Sequence, residues 1–219
     1  MSSAADRRQH ILDRIARAAE LVKRDPADVQ LIAISKGRPT DQIEPLLEAG
    51  QRDFGENRVQ EALTKWPPLI ERYPDVRLHA IGRLQTNKAA DVVRLFDTVH
   101  SLDRHSLLEA LVKEGGKANG FPAAYVQVNI GEEEQKGGCD IAELGDLVAA
   151  ARESPLPLVG LMAIPPAGVE PAPYFALLAK LARREGLAGL SMGMSADFAC
   201  AVMLGATAVR VGTALFQDA

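Results

Sequence analysis

Lys36 is the residue of this chain most readily given a chemical task. It closes the run Val29-Gln-Leu-Ile-Ala-Ile-Ser-Lys36, in which Leu31 to Ile34 have the length and β-branched content of a buried strand, and Gly37 follows directly. The pattern sets a Ser-Lys pair at a strand's C-terminal end. An ammonium group is seldom buried without a partner, and partial desolvation lowers a lysine's pKa, which frees the amine as a nucleophile towards aldehydes. Nothing local enforces that reactivity, and the same residues suit a lysine that steps out of the sheet into solvent.

A second group lies far along the chain. Ser191-Met-Gly193-Met-Ser195 and Val211-Gly212-Thr213 combine glycines, which tolerate strained turns and close approach, with hydroxyl donors. After strands seven and eight of a barrel, such loops often hold a phosphate through backbone N–H groups and the positive end of a helix. Two capped turns without a ligand have the same spacing. Arg210 stands two residues before Gly212, on the same side of its strand and facing a barrel's interior. A buried arginine needs a partner, and either Glu56 or the ring nitrogen of a bound pyridine qualifies. An amine, a phosphate cup and an arginine between them match the aldehyde, phosphate and ring nitrogen of pyridoxal 5′-phosphate.

These residues converge only if the intervening chain carries them to one face. Ile11, Leu12, Ile15, Ala18, Ala19 and Val22 at helical spacing predict an amphipathic helix over 6–24. Strands are predicted over 31–34, 51–55, 77–81, 98–101, 123–130, 158–164, 189–192 and 208–212. Helices are expected between them, with Pro67-Pro68 ending the one over 56–66 and Asp103 capping the one over 103–117. Near-continuous apolar strands alternating with amphipathic helices imply a parallel sheet covered on its outer face. About eight such units point to an α/β fold, a single (β/α)8 TIM barrel with an extra N-terminal helix, forming one domain over 1–219. An open doubly wound sheet is the alternative, although no G-x-G-x-x-G follows the first strand and no G-x-x-x-x-G-K-[ST] occurs. A barrel's site is built from strand ends, which here carry Ser35 and Lys36, Glu56 and Asn57, Gln85 and Lys88, Asn129 and Lys136, and then the cup.

Composition narrows the function classes. A formal net charge of −4 and a pI near 5.6 give no bulk attraction to nucleic acid or an anionic membrane. The first residues lack the apolar core of a signal peptide, and no stretch approaches the roughly 18 apolar residues of a membrane span, so a cytoplasmic protein is expected. Cys139 and Cys200 stand far apart without other ligands at metal spacing, so neither a disulfide framework nor a zinc site is suggested. Helix one shows no heptad seam, which favours a monomer.

Several motifs resemble, in order, those of the pyridoxal phosphate homeostasis protein family. They are Ile34-Ser-Lys36, Phe54-Gly-Glu-Asn57, Leu84-Gln-Thr-Asn-Lys88, Ser101-Leu-Asp-Arg104, Gln127-Val-Asn129, Gly160-Leu-Met-Ala-Ile-Pro165, Leu190-Ser-Met-Gly-Met-Ser195 and Val209-Arg-Val-Gly-Thr213. That family has the fold of the alanine racemase N-terminal domain. The resemblance implies an internal aldimine at Lys36, ring contacts from Asn57, phosphate contacts from Ser191, Ser195, Gly212 and Thr213, and Arg210 at the pyridine nitrogen. This sequence departs from the family at Leu78-His79-Ala80, where an aromatic usually follows the His, and at Gly37-Arg38, where Thr-Lys is commoner.

The same residues bear on whether the protein is a carrier or a catalyst. In the racemases this fold resembles, a second acid/base comes from another domain, none of which is read here, and Tyr73, Tyr125 and Tyr174 lie away from predicted strand ends. An arginine at the ring nitrogen also disfavours the protonated pyridinium and weakens the cofactor as an electron sink. A non-catalytic carrier is therefore expected, holding pyridoxal phosphate as a lysine aldimine, with recipient pyridoxal-phosphate enzymes as further partners. A racemase or related lyase, and an interaction module without cofactor, are the alternatives. Lys88 and Lys136 read as surface or salt-bridging lysines, or as transient acceptors during handover.

Overall fold

Leu31, Ile32 and Ala33 are buried on both faces of their strand, which is why β1 (Gln30–Ile34) appears in the sequence as an unbroken apolar run. The computed structural model describes residues 2–133 and 135–216. β1 is followed by β2 (Asp53–Glu56), β3 (Arg77–Ala80), β4 (Thr98–Leu102), β5 (Ala123–Gln127), β6 (Leu158–Met162), β7 (Gly189–Met194) and β8 (Ala208–Val211). All neighbours pair in parallel, and β8 returns to β1 through Arg210 opposite Ile32 and Val211 opposite Ala33. The result is the closed (β/α)8 barrel that the repeat pattern predicts.

Helix α1 (Ala4–Leu21) precedes the first strand and starts on a capping box in which Ser3 and Asp6 bond each other's backbone N–H. Ile11, Ile15, Ala18 and Ala19 bury its apolar face. The outer ring then runs α2 (Thr40–Glu48), α3 (Val59–Lys65), α4 (Pro67–Arg72), α5 (Ala89–Leu95), α6 (His105–Ala118), α7 (Leu144–Glu153), α8 (Ala172–Arg184), α9 (Phe198–Met203) and α10 (Thr213–Phe216). α1 packs against α9, α10 and α2, close to the β8–β1 seam. Between ring and barrel lies the apolar core, where Phe54, Trp66, Leu78, Phe175 and Phe198 are wholly buried. No helix among the described residues is long and apolar enough to cross a membrane.

The elements depart from expectation in a few places, each with a local cause. The second helix stops at Lys65, just before Pro67-Pro68 as expected, but it starts only at Val59, and Pro67 then opens a further helix at its first position, where a missing N–H costs nothing. Asp103 is not the cap of α6; Arg104 occupies that position without a side-chain bond, and the Asp103 carboxylate pairs with its guanidinium. Thr86–Lys88 forms a separate 3-10 turn before α5. β5 ends at Gln127 because the chain turns to pair with the returning loop, Cys139 N donating to Gln127 O at 2.8 Å and Asn129 N to Cys139 O at 2.9 Å. β7 is longer than its apolar run and carries Ser191, Gly193 and Met194 within the strand.

Candidate functional site

Lys36 lies exposed in the turn that follows β1, at the barrel's C-terminal mouth. The turn itself is tightly held. Gly37 adopts a positive φ of 65°, Arg38 N donates to Ser35 O at 3.0 Å, and Gly37 N donates to Glu61 Oε1 at 2.7 Å. Beneath it, Ser35 Oγ donates to Glu56 Oε1 at 2.6 Å, and Trp66 Nε1 reaches the same oxygen at 2.9 Å. The Lys65 ammonium lies 2.7 Å from that oxygen and 2.9 Å from Glu61, and it donates to the carbonyls of Ser35 and Arg38 at 2.9 and 3.3 Å. Among the described residues the Lys36 amine makes no hydrogen bond or ion pair, so its backbone is fixed while its side chain stays available.

Glu56 is thereby taken. The sequence left it open as the partner of Arg210, but its carboxylate serves Ser35, Trp66 and Lys65. Arg210, fully inside the barrel, donates from Nη1 to Ser191 Oγ at 2.6 Å and from Nη2 to Ala163 O at 3.1 Å. No ion pair of the described residues includes it. Burial pulls its pKa down to about 10, the Asp197 charge acting in the opposite sense, so the guanidinium stays charged at neutral pH. A buried cation with neutral partners only is suited to an acceptor supplied from outside.

The loops after β7 and β8 meet as expected. Gly212 N donates to Ser195 Oγ at 3.3 Å, and Asp197 Oδ1 anchors the loop by accepting from Met194 N at 2.6 Å. Gly193, at φ 91°, lets that loop lie against α9, since a Cβ there would stand 2.6 Å from the Ala201 Cβ. Thr213 is exposed at the start of α10. The cup also adjoins the lysine turn, because the Cβ position of Gly212 lies 3.4 Å from the Cβ of Ile34, two residues before Lys36. Asn57 stands one strand over. β1 and β2 pair at Ile34 and Gly55, so Lys36 and Asn57 each follow a paired position by two residues.

Ser191 is placed differently. Its hydroxyl is wholly buried between Arg210 and His100, whose Nδ1 lies 2.8 Å away, and it faces the barrel's interior rather than the cup. A phosphate contact from that hydroxyl therefore does not fit the geometry. Lys136 is a salt-bridging lysine, 2.6 Å from Glu133, and Lys88 lines a cleft with Asn57, Arg58 and Arg83. Sequence reasoning missed Lys65 and Glu61, whose only signal is an i, i+4 spacing shared with countless surface pairs. It also missed that His79, noted only for the residue that follows it, meets His100, which lies in no motif.

The chain is similar to known proteins over nearly its whole length. The family described as "Alanine racemase, N-terminal domain" matches residues 8–219. The pyridoxal phosphate homeostasis protein of Pseudomonas aeruginosa is 41% identical over 226 residues, covering 99% of this chain and 96% of that protein. PipY of Synechococcus elongatus, solved with pyridoxal phosphate bound, is 39% identical with a TM-score of 0.82, over 93% of this chain and all (100%) of that one. The alanine racemase of Bartonella henselae shares the fold alone, at 18% identity and a TM-score of 0.70, over 96% of this chain and 59% of that one. With its barrel, its strand-end lysine and relatives of this similarity over nearly its whole length, the chain belongs to the pyridoxal phosphate homeostasis protein family.

Proposed function

We propose that this protein binds pyridoxal 5′-phosphate at the mouth of its barrel and takes part in homeostasis of the cofactor as a carrier, without catalysis of its own. The observation that carries this reading is Arg210, a buried guanidinium with no carboxylate partner, set below a cup of hydroxyl and backbone N–H groups beside an exposed lysine. The names of the relatives, and the pyridoxal phosphate bound to PipY, support it.

When bound, the cofactor supplies an aldehyde that condenses reversibly with a primary amine. Lys36, exposed at the barrel mouth beside the cup, would be that amine. Ser195, Gly212 and Thr213 would supply hydroxyl and N–H donors for the phosphate, with Gly193 shaping their loop, and Asn57 would contact the ring from the neighbouring strand. Arg210 would donate to the ring nitrogen, and as a fixed cation it would discourage a proton there, which would favour holding over turnover. Tyr125 offers no acid/base at the mouth, because it sits inside the barrel with its ring 4.6 Å from that of His100.

The test is spectroscopic. Adding pyridoxal 5′-phosphate to the purified protein should produce a cofactor band that Lys36→Ala abolishes, and borohydride followed by mass spectrometry should map the attachment to Lys36. Wild-type protein without such a band would sink the proposal. Deuterium entering the α-position of amino acids faster than with free cofactor would replace the carrier by an enzyme.

A further inference from the structure

The barrel's interior holds a line of polar side chains where branched apolar residues usually fill the layers. From Arg210 the contacts run to Ser191 at 2.6 Å, from Ser191 Oγ to His100 Nδ1 at 2.8 Å, and from His100 Nε2 to His79 Nδ1 at 3.0 Å. His79 Nε2 then lies 3.2 Å from Asp53 Oδ1. Asp53 opens β2 at the opposite end of the barrel, where Gln30 Nε2 donates to it at 2.8 Å and Arg77 binds it through Nε at 2.8 Å and Nη2 at 2.9 Å. Five groups on β2, β3, β4, β7 and β8 thus connect the barrel's floor to the guanidinium beneath its mouth.

The chemistry of the two ends fixes the direction of every bond between them. Asp53 is held as a carboxylate, its hydrogen bonds to His79 and Arg77 lowering its pKa against the opposing effect of burial, so it only accepts. Its charge is already answered by Arg77, and no second cation is called for at His79. His79 Nε2–H therefore donates to Asp53, which leaves His79 Nδ1 as an acceptor for His100 Nε2–H. His100 Nδ1 is then an acceptor for the Ser191 hydroxyl, and Ser191 oxygen in turn accepts from Arg210, which can only donate. Burial above all, with the Arg210 charge adding to it, holds the His100 pKa well below its ordinary value, in keeping with a neutral ring. The charged or titratable groups facing the pair are Asp53, Arg77, Arg210 and Tyr125, the last stacked on His100.

We propose that His79, His100 and Ser191 are positioning residues: a one-way hydrogen-bond chain, ending on Asp53, that holds Arg210 as a donor to the ring nitrogen of the bound cofactor. The inference rests on the pyridoxal phosphate reading above. A carboxylate touching Arg210 would pull the guanidinium to itself; through four links, Asp53 orders it without competing for it. One proton arriving at His79 would reverse the chain. His79 Nδ1–H would donate to His100, His100 Nδ1–H would donate to Ser191, and the Ser191 oxygen would have to accept from both sides and turn its own hydrogen away.

Long-range proton–nitrogen correlation spectra of the full-length protein, with and without pyridoxal 5′-phosphate, read the tautomers directly. Both rings should carry a proton on Nε2, and His100 should remain neutral as the pH is lowered past the ordinary histidine value of 6.5. Either ring found as the neutral Nδ1–H tautomer, or ordinary titration of His100, overturns the chain. His100→Phe keeps a ring against Tyr125 but removes both nitrogens, and should weaken pyridoxal 5′-phosphate binding on the order of tenfold and alter the pH dependence of the cofactor band. His100→Asn, which returns an acceptor near Nδ1, should recover most of the affinity. Equal binding by wild type and His100→Phe refutes the positioning role. If the Phe variant does not fold, Ser191→Ala cuts the same chain with little change of volume and carries the same expectation. Should wild-type protein bind no cofactor at all, the functional proposal fails, while the tautomers in the unloaded protein still decide whether the chain exists.

Discussion

Replacing Lys65 by methionine probes what fixes the turn that carries Lys36. The Lys65 and Glu56 side chains are 8% and 0% exposed, and their 2.7 Å contact is screened by Trp66 and the end of β1. Methionine keeps the volume of the lysine stem, so little of the effect is packing. What it removes is the cation beside a fully buried carboxylate, together with the donors to the Ser35 and Arg38 carbonyls. Stripping one partner from a buried pair costs about 3–5 kcal/mol. Glu56 keeps its bonds from Ser35 and Trp66, which places the expected loss near the lower end, about 3 kcal/mol. That is a large share of a typical stability of roughly 5–15 kcal/mol.

Glu56→Gln is the complementary single change. It retains an acceptor for Ser35 and Trp66 and leaves Lys65 paired with Glu61, but it puts an amide N–H at the place of Glu56 Oε2, a buried atom with no hydrogen-bond partner. About 1–3 kcal/mol follows from that unsatisfied donor. In the double variant no fully buried carboxylate is left without its cation, only the part-exposed Glu61, so its loss should fall short of the sum of the singles by about 1–3 kcal/mol. Denaturant unfolding of the protein without cofactor gives all three values, provided the slopes agree. The loosened turn should also release pyridoxal 5′-phosphate faster in Lys65→Met than in wild type. A loss below about 1 kcal/mol for Lys65→Met, or strict additivity in the double variant, would refute the idea that this buried pair braces the lysine turn.

Gly193→Ala should cost at least about 2 kcal/mol, since the new Cβ meets Ala201 at 2.6 Å and the φ of 91° is strained for alanine; it should weaken binding of pyridoxal 5′-phosphate more than that of pyridoxal. Equal weakening of both ligands would remove the cup from phosphate binding. Acid should destabilise the fold in two stages. His100 has a folded pKa well below 6.5, so the unfolded chain binds the extra proton and stability falls below that pH, by up to about 1.4 kcal/mol per unit. Asp53 has a folded pKa below 3.8, so its contribution is complete above that value and is lost as pH falls through the lower one. Unfolding titrations of wild type and His100→Phe separate the stages, and an unchanged slope between pH 6.5 and 3.8 in the variant would contradict the assignment to His100.

The parts of the site that sequence revealed are those whose signal is local. Arg210 and Gly212 share a strand face by parity alone, Gly193 and Ser195 occupy one loop, and Lys36 ends an apolar run, so each is visible within a few residues. The barrel is legible for a similar reason, because strands buried on both faces leave no other pattern. Lys65 is different. Its partners lie at positions 35, 38, 56 and 61, and nothing in a seven-residue helix says that its last side chain reaches back beneath a neighbouring strand end. His79 and His100 are likewise hidden, since their meeting depends on strand register, which short parallel strands with irregular pairing, such as β4 against β5, do not announce.

This division follows the work each group is asked to do. As the proposed attachment point, Lys36 would exchange a bond with a ligand that comes and goes, and its side chain is exposed and without a partner among the described residues, on a backbone pinned by Lys65, Glu56 and Glu61. Arg210 must stay charged and stay put where water cannot order it, and its restraint comes from inside the barrel through Ser191. A catalyst would gain from coupling these two handles through the ring, since a protonated ring nitrogen draws electrons from the reacting carbon. On the proposed reading the buried handle would be a permanent donor that opposes that protonation, while the exposed one would remain free to let go. The two halves of the site would then be matched to retention and release, the chemistry between them held back by the same arginine that would secure the ring.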